Sequence, residues 1–454
     1  MAEVFSESLA YPQMKRRSVG ARSFRMKLPP SNSTSFTPGQ TIQFDLPSNR
    51  PGQYIDFSSL YVKIRLKNGV GNDLTLDRCG AMGLIKRLQI STAGAQICDI
   101  NNWNVLATAM LDTDASSEWK SGYGAAMLGT EGDALRGVAV AAGAASFRTF
   151  AIPLVLNPLF NTTPHRLLPL GSLSSIQIRL TLDSAASAFK AGGAPVVTYD
   201  EVEMVAMITE LSPDAQRSVD AATGGKYNIL ANSFANSTAA LPANATQLTQ
   251  NLGFSYSSME RIIAVHRSNA SISGQGAFSL GNRTTSGLQQ YAYMINSELY
   301  PSRYVIVDAA AAESTAEMLI ADHALVDFNK GSGFQNGVVA GSLAATTIGA
   351  LSGIDPAVAK SGCYTLKDGA GTSAGAAGVG SNVGTFVAGT DFENGLSVNR
   401  SATIYSGVST IASNVQWVGT YEGANVAATV DFFAQFTVLL SLDMRGSGVY
   451  SISV

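Results

Sequence analysis

The residues that could carry acid–base or metal chemistry are few in this sequence. Its three histidines, His165, His266 and His323, are far apart, and none has a partner at the HxH or HExxH spacing of a zinc site. His165 follows a proline in a turn, His266 ends a predicted strand, and His323 ends a predicted short helix. Each is therefore interpreted as a structural histidine.

Clustered carboxylates are the second place to look for chemistry, because a pair of Asp or Glu residues can hydrolyse a glycosidic bond. The nearest clusters are Asp200 and Glu201 with Glu203, and Asp391 with Glu393. In a strand, Glu201 and Glu203 share one polar face, where a solvated or interface role is the default. A β-sandwich glycosidase therefore stays open only as a rival hypothesis.

Cofactor and metal motifs are not supported. The glycine-rich run from Gly378 to Gly384 has the wrong spacing for a dinucleotide loop, and Gly224-Gly225-Lys226 lacks the upstream glycine of a phosphate-binding loop. Cys79, Cys98 and Cys363 are widely spaced and odd in number, which predicts buried thiols rather than a disulfide framework or a zinc site. The sequence predicts no cofactor and no metal.

Positive charge is concentrated in one tract near the N-terminus. It holds six basic residues and no acids: Lys15, Arg16, Arg17, Arg22, Arg25 and Lys27. One interpretation is a solvated strand edge. The other is an arm that contacts the phosphates of a genome or anionic lipid headgroups, through salt-sensitive electrostatic contacts. The net charge of −3 argues against a uniformly basic nucleic-acid binder.

The elements that would position these side chains are strands. Apolar residues hold alternate positions in three early segments, which places one side of each segment in a core. Proline- and glycine-containing turns at 29–30, 38–39 and 47–52 separate the segments. The alternating residues are Phe24, Met26 and Leu28, then Ile42, Phe44 and Leu46, then Leu60, Val62, Ile64 and Leu66. Short strands at this spacing predict a sandwich or jelly roll.

Length and composition agree with a large all-β protein. A chain of 454 residues is long enough for two or more domains. Charged residues make up 14%, against a usual value of about 25%, so much of the outer surface is expected to be hidden against something else. Residues 1–9 lack the charged start and apolar core of a signal peptide, and no continuous apolar stretch is long enough for a membrane-spanning helix.

The strand pattern divides the chain in two. We predict an N-terminal basic arm over 1–22, a first jelly roll over 23–211, a linker of polar turn residues over 212–226, and a second jelly roll over 227–454. Alternation is weaker after the linker, which suggests that both faces of those strands are covered. The run from Val430 to Met444 alternates for about fifteen residues and predicts one very long strand.

A few regions break the strand pattern. A hairpin is expected over 84–100, and the spacing of apolar residues predicts a short helix over 102–113. The Gly/Ala-rich stretch 122–146 is interpreted as a long loop or flap. Another short helix is expected over 316–324, and residues 331–389 are predicted to form a long Gly/Ala-rich loop.

Several segments resemble the double jelly-roll major capsid proteins of the tailless-phage, adenovirus, virophage and polinton-like lineage of double-stranded DNA viruses. The likeness is strongest over 23–211. It is carried by Phe36-Thr-Pro-Gly-Gln, Gln53–Ile64, Gly83–Ile90, Gln96–Leu106, and Asn157-Pro-Leu-Phe ahead of Leu167–Leu170. Over 227–454 it rests mainly on strand order and the long final strand. The family provides no active-site residues to transfer.

The resemblance implies two antiparallel eight-stranded jelly rolls in tandem, and a homotrimer that forms a pseudo-hexameric capsomer. It further implies a virion protein, made in the host cell without a signal peptide, whose partners are neighbouring capsomers, penton proteins and minor capsid proteins. The basic residues 15–27 would then face the particle interior, in contact with genome or internal membrane. Assembly, rather than catalysis, would be the function.

Two other classes of function stay open from the sequence. A carbohydrate-binding or adhesive β-sandwich would need exposed aromatic platforms, for which Trp103, Trp119 and Trp417 are the candidates, although core positions are favoured for Trp103 and Trp417. A sandwich glycosidase would depend on the carboxylate clusters named above.

Overall fold

The computed structural model describes most of the chain in strands. The described residues are 20–306, 388–391, 407–443 and 450–453, apart from 49, 70, 93–94, 116, 132–135, 144–145, 161–166, 172–175, 194, 225, 274–277, 282–285 and 424. The predicted helix over 316–324 and nearly all of the predicted loop over 331–389 lie outside these residues.

Twelve strands are described before residue 212, and their pairings are antiparallel. They are β1 Ala21–Leu28, β2 Thr41–Asp45, β3 Gln53–Asn68, β4 Leu74–Asp77, β5 Ile85–Ser91, β6 Gln96–Ile100, β7 Arg136–Val140, β8 Phe147–Pro153, β9 Leu168–Pro169, β10 Gln177–Leu182, β11 Phe189–Ala191 and β12 Val197–Leu211. One sheet has the order β1-β12-β3-β8, with β9 also pairing β3. A second has the order β2-β10-β5-β6, and a small third sheet has the order β11-β4-β7.

Nine described strands follow residue 225. They are β13 Lys226–Leu241, β14 Gln247–Asn251, β15 Met259–Ser268, β16 Leu288–Ile295, β17 Glu298–Ile306, β18 Ala388–Asp391, β19 Val415–Tyr421, β20 Ala428–Asp443 and β21 Tyr450–Ser453. One sheet has the order β13-β20-β15-β18, with β21 also pairing β20, and the other has the order β14-β19-β16-β17.

The two groups share one topology. When the principal strands β1, β2, β3, β5, β6, β8, β10 and β12 are renumbered one to eight, their sheets read 1-8-3-6 and 2-7-4-5. Strands β13 to β20, renumbered in the same way, read 1-8-3-6 and 2-7-4-5 as well. This is the jelly-roll arrangement of two facing antiparallel sheets. The predicted fold class, two eight-stranded jelly rolls in tandem, is confirmed.

In each roll, the sheet with order 1-8-3-6 contains strands of 15 or 16 residues, and we call it the long sheet. The other is called the short sheet. In β3 the predicted alternation is present, since Leu60, Val62, Ile64 and Leu66 are buried in the first roll while the intervening residues point outward. The side of a long sheet that faces away from its own roll is called its outer face.

The prediction that the apolar side chains of the first strand are buried in the core is only partly confirmed. Phe24 was expected in the core but is 39% exposed, and Met26 and Leu28 are only partly buried against the core. The reason is position: β1 pairs with β12 on one side and is the terminal strand of its sheet among the described residues. A terminal strand cannot be covered as fully as a central one.

The segment that follows helix α1, which was predicted to be a long loop over 122–146, is partly helical. After the correctly predicted helix α1 (Trp103–Asp114) come α2 (Ser117–Trp119), a π-helical turn (Lys120–Gly124) and α3 (Ala125–Leu128), and then strand β7. The loop prediction over 122–146 is wrong there. The buried side chains that anchor this segment, Lys120, Leu128 and Thr130, include only one apolar residue and so produce no periodic apolar pattern. Two further short helices are α4 (Ala185–Ala188) and α6 (Asn269–Ser273).

The predicted linker contains a helix, α5 (Pro213–Thr223). Ser212 caps it, its side chain accepting the backbone N–H of Ala215, and Gly224 ends it in the left-handed conformation with φ 63°. No residue of α5 is buried, which is why the segment lacked an apolar period. Among the described residues, every helix is too short or too polar to span a lipid bilayer.

The long sheet of the second roll is covered on both faces, as its weak alternation predicted. Ile262 and Phe432 belong to the core between the two sheets of the second roll. Their neighbours Ile263, Val265 and Phe433 point the opposite way and belong to the apolar cluster of the first roll. The outer face of this sheet is therefore the surface on which the first roll packs.

We expect Phe433→Ala to lower the free energy of unfolding by about 3–5 kcal/mol, because it would leave a cavity between the rolls. Leu439→Ala on the same strand is the matched control, since Leu439 is 38% exposed and its truncation should cost about 0.5 kcal/mol or less. Urea titration followed by tryptophan fluorescence would measure both. Equal midpoints for the two variants would contradict the role given to Phe433.

Candidate functional site

The predicted carboxylate cluster lies on the outer face of the first roll's long sheet and is neutralised there. Arg65 approaches Asp200 with two guanidinium contacts, Nε to Oδ1 at 2.6 Å and Nη2 to Oδ2 at 3.0 Å. Its Nη1 lies 2.6 Å from Glu201 Oε1. Lys63 Nζ lies 3.7 Å from Glu201 and 4.0 Å from Glu203. Basic residues of β3 thus face acidic residues of β12 along the sheet.

A local irregularity in β12 makes this clustering possible. The pairing with β3 shifts register between Asp200 and Glu203, and Glu201 has a φ of 46°. The extra residue of such a bulge lets adjacent carboxylates reach the same side of the sheet. We call the resulting set of residues the charge ladder: Lys27, Lys63, Arg65, Lys67, Asp200, Glu201 and Glu203.

The electrostatics of the charge ladder do not fit a glycosidase. The hydrogen bonds from Arg65 lower the pKa of Asp200 to about 2. A general acid for glycoside hydrolysis needs the opposite, a carboxyl group whose pKa is raised so that it still carries a proton near neutral pH. Glu393 and the side chain of Asp391 lie outside the part of the chain that can be described. The observed carboxylates are suited to holding strands and surfaces together.

Three of the six predicted basic residues fall on strand β1. Arg22 Nε lies 2.5 Å from Glu210, and Lys27 Nζ lies 3.6 Å from Glu203, so both pair with β12. Arg25 is exposed on the same strand. The structure brings these three residues to the edge of the long sheet. Lys15, Arg16 and Arg17 lie outside the described residues, and the interior-facing arm stays a prediction.

Apolar side chains are exposed beside the charge ladder. Phe147 at the start of β8 is 57% exposed, and its ring centroid lies 5.3 Å from the Arg65 guanidinium carbon, a cation–π distance. Val196, which precedes β12, is 58% exposed. Large apolar side chains on a mixed charged face are typical of protein interfaces rather than of catalytic clefts.

His266, Trp103 and Trp417 are buried structural residues, whereas His165 and His323 lie outside the described residues. His266 is fully buried, with Nε2 2.9 Å from the Tyr421 hydroxyl, and burial lowers the pKa of this imidazole to about 3. It is therefore neutral in ordinary conditions and suited to packing. Trp417 is fully buried in the second roll, and Trp103 is fully buried while its indole N–H donates to the Val155 carbonyl at 3.1 Å. The core positions favoured for these two tryptophans are confirmed.

The sequence analysis missed a buried ionic site between the two rolls. Asp431 on β20 has no exposed surface and accepts hydrogen bonds from Arg267 Nη2 at 2.7 Å and from Thr238 Oγ1 at 2.9 Å. Asn102, at the start of α1 in the first roll, donates its Nδ2 to the same carboxylate at 2.9 Å. The sequence feature that could have indicated this buried site is an aspartate within the alternating apolar run of 430–444.

A second cross-roll contact involves Asp77 in the first roll. Its buried carboxylate accepts the backbone N–H groups of Leu280 at 2.8 Å and Gly281 at 3.1 Å, both from the loop between β15 and β16. Burial raises the pKa of Asp77. The neighbouring Ser279 hydroxyl donates to the Ser187 carbonyl at 2.6 Å. The loop is thus hydrogen-bonded into the first roll.

A cavity of about 460 Å³ lies where α5 meets both rolls. The Tyr54 hydroxyl at its wall donates to Gln216 Oε1 at 2.9 Å, and the Tyr227 hydroxyl donates to Asp220 Oδ1 at 3.1 Å. These bonds attach the linker helix to the base of both rolls. Among the described residues, no group of three or more His, Cys, Asp or Glu is arranged to hold a metal ion.

These features define the chain as a double jelly-roll protein, with two sandwiches joined across an apolar and ionic contact. No family model matches the sequence, and no curated protein matches it. Several solved structures match it over nearly the whole chain.

Three of these structures are of viral proteins. VP54 of PBCV-1, fitted into a reconstruction of the virophage Sputnik, is 14% identical with a TM-score of 0.57, and the match covers 98% of this chain and 99% of that one. The chain in a model of the PBCV-1 capsid is 15% identical, with a TM-score of 0.54 and 97% and 99% covered. The Faustovirus major capsid protein is 9% identical, with a TM-score of 0.54 and 95% and 92% covered. At these identities the similarity establishes the fold.

We expect Asp200→Asn to destabilise the protein by about 1 kcal/mol at neutral pH, since it removes a partly exposed ion pair with Arg65. The folded-state pKa of Asp200, about 2, is below its ordinary value, so the stabilisation is present above about pH 4 and is lost as the pH falls towards 2. Thermal unfolding midpoints from pH 7 to 2 would measure the difference between wild type and variant.

The difference in midpoint should narrow steadily below pH 4. Asp214→Asn is the matched control, because Asp214 is 92% exposed and lies 3.6 Å from Arg217 on the surface of α5. If the difference in unfolding midpoint between wild type and Asp200→Asn stays constant down to pH 2, Arg65 does not stabilise the charged form of Asp200.

Proposed function

We propose that this protein is the major capsid protein of an icosahedral virus and acts by self-assembly rather than catalysis. The observation that carries the proposal is the match of the tandem jelly rolls, end to end, with the PBCV-1 capsid chain and the Faustovirus major capsid protein. The chain and each of these proteins cover more than nine-tenths of each other. The architecture is thus shared as a whole rather than through one common domain.

The surface chemistry supports an assembly role. The carboxylates of the charge ladder are held by Arg65 and the lysines, and His266 and Trp417 are in the core. What is exposed is Phe147, Val196 and alternating charge on an ordered sheet. Such a surface suits contact with other protein better than substrate binding.

We infer that three copies form the capsomer. Each chain contributes two sandwiches, so a ring of three copies has six sandwiches and an approximately hexagonal outline. A heterologous interface that closes after three copies is the physical route to such a ring. Neighbouring capsomers, penton proteins and minor capsid proteins would complete the shell, and the virion is the expected location.

The purified protein is expected to sediment at about three times the 47.3 kDa chain mass and to give hexagonal outlines by electron microscopy. At higher concentration, or on expression in quantity, sheets or shells of these units should form. Sedimentation velocity and negative-stain images provide both measurements. A monomer at every concentration, with no ordered array, would overturn the proposal.

We further propose that the basic residues before β1 contact the genome or an internal membrane. Replacing Lys15, Arg16 and Arg17 by serine should leave trimers intact but weaken the salt-dependent binding of DNA or of anionic vesicles. Binding at 50 and 200 mM salt would be compared with a variant of the exposed helix residue Arg217→Ser. Unchanged binding to both DNA and vesicles would contradict the proposed arm.

A further inference from the structure

The cavity beside the linker helix α5 has the size of a small-molecule site. Its volume of about 460 Å³ is within the range of about 300–1,000 Å³ that is usual for pockets holding small organic ligands. Its walls come from the ends of β3 and β12 in the first roll, from α5, and from the first residues of β13 in the second roll. A molecule bound here would contact both rolls and the helix that joins them.

Helix α5 is attached to the rolls without being buried by them. Gln216, Val219, Asp220 and Thr223 lie on one side of the helix, because residues three and four apart are neighbours on its surface. Val219 and Thr223 line the cavity, whereas Gln216 and Asp220 accept hydrogen bonds from tyrosine hydroxyls of the two rolls. No residue of α5 is buried. The tyrosines therefore hold the helix in place while the space behind it stays open.

Aliphatic side chains from four segments line this space. They are Leu167, Leu211, Val219 and Ile229. Leu167 is 37% exposed, so part of this aliphatic surface is in contact with water in the chain as described. A hydrocarbon that displaces the water gains affinity with its length, by about fourfold in the binding constant for each buried methylene group. The lining therefore suits an extended hydrocarbon chain.

The charge at the cavity is positive. Lys226, an exposed residue at the start of β13, is the only charged residue among the described residues that line it. The nearby acid Asp220 is not part of the lining and accepts a tyrosine hydroxyl. The chain enters the first roll at this end, since the Gly20 carbonyl accepts the Ser212 N–H at 2.7 Å, and the basic residues 15–17 precede Gly20 in the sequence. This end of the molecule therefore favours a ligand with a negative group.

We propose that this cavity binds the hydrocarbon chain of an anionic amphiphile, either a free fatty acid or an acyl chain of an acidic lipid. The acidic head would lie at Lys226, and the tail would lie between α5 and the strands, against Leu167, Val219 and Ile229. A bound molecule would connect α5 with both rolls and stabilise the folded chain by mass action. The inference does not rest on the proposed function, because the cavity is formed within a single chain.

Saturated fatty acids of eight, ten and twelve carbons are suitable probes, used below the concentrations at which they form micelles. We expect one molecule to bind per chain, with a dissociation constant that falls about sixteenfold for every two added carbons until the cavity is full. Isothermal titration calorimetry would measure the affinity and the stoichiometry, and the thermal unfolding midpoint should rise with ligand concentration. No binding of any of the three acids would overturn the proposal.

Val219→Trp tests the location, because it fills the cavity from a half-buried helix position without changing either core. We expect the affinity for dodecanoic acid to fall at least about tenfold. Arg217→Trp is the matched control, since Arg217 is on the same helix with its side chain 79% exposed and does not line the cavity. Its affinity should equal that of wild type, and circular dichroism would show that both variants keep the fold. Equal affinities of the two variants would overturn the site.

Lys226→Gln tests the recognition of the acidic head. We expect it to weaken dodecanoic acid binding about tenfold, as for loss of one charge-assisted contact, and to leave the binding of 1-dodecanol unchanged. The alcohol has the same chain length but no charge, so it reports whether the cavity itself is intact. An equal loss for both ligands, or no loss for the acid, would overturn the placement of the acidic head at Lys226.

A transfer experiment distinguishes the two sources of ligand. The protein would be incubated with vesicles of phosphatidylcholine and phosphatidylglycerol, separated from them by flotation, and examined by native mass spectrometry. Phosphatidylglycerol bound to wild type but not to Val219→Trp would support a membrane lipid as the source. Binding of dodecanoic acid without any phospholipid would support a free fatty acid.

One further outcome would count against the proposal. If the full chain binds no fatty acid but a variant that lacks residues 1–19 does, the protein's own N-terminal segment competes for the cavity, and the proposed ligand is wrong. None of these measurements depends on the oligomeric state, so a failure here would leave the capsid proposal standing.

Discussion

The burial of the second long sheet against the first jelly roll is the constraint on which the rest of the molecule depends. The outer face of this sheet carries the apolar side chains Ile263, Val265 and Phe433, and because the first roll buries them, the second roll depends on the first for part of its stability. The buried Asp431 in the middle of this contact restricts how the two rolls can be oriented. An apolar surface alone tolerates many orientations, but Asp431 is satisfied only where Arg267, Thr238 and Asn102 converge on it.

The internal repeat shows how one architecture yields two kinds of surface. The topology is the same in both rolls and each long sheet carries an aspartate–cation pair, whereas the residues around the pair differ. Val265 in one roll corresponds to Arg65 in the other. Val265 lies in a contact that excludes water, whereas Arg65 lies on a charged face that stays hydrated in the described part of the chain.

The sequence was a good guide wherever one strand face is wet and the other dry. In β3 the apolar residues from Leu60 to Leu66 alternate with Lys63 and Arg65, and this pattern correctly predicted a strand with one buried face. The pattern was less informative for α5, whose helix is stabilised by Ser212 and Gly224 rather than by an apolar face. It was also less informative for the helical turns that end at Leu128, where the other buried side chains are polar. It misjudged Phe24, because alternation reports which side a residue faces but not whether its strand is at an edge.

The ionic sites show a different limit. Asp200 and Lys67 are 133 residues apart in number yet 2.5 Å apart in space, and Asn102 and Asp431 meet across 329 positions. Such pairs follow from sheet order and register, which local patterns do not encode. The carboxylates at 200–203 could be identified from the sequence as an unusual cluster. Their role could not, since it depends on Arg65 from another strand.

The edge strand β1 has one more consequence. A strand at the border of a sheet leaves a row of backbone N–H and C=O groups that can recruit any other extended polypeptide, which is how amyloid-like growth begins. Arg22, Arg25 and Lys27 place positive charges along that border. Charged side chains along an edge strand make uncontrolled strand addition less favourable, so these residues protect β1 against aggregation.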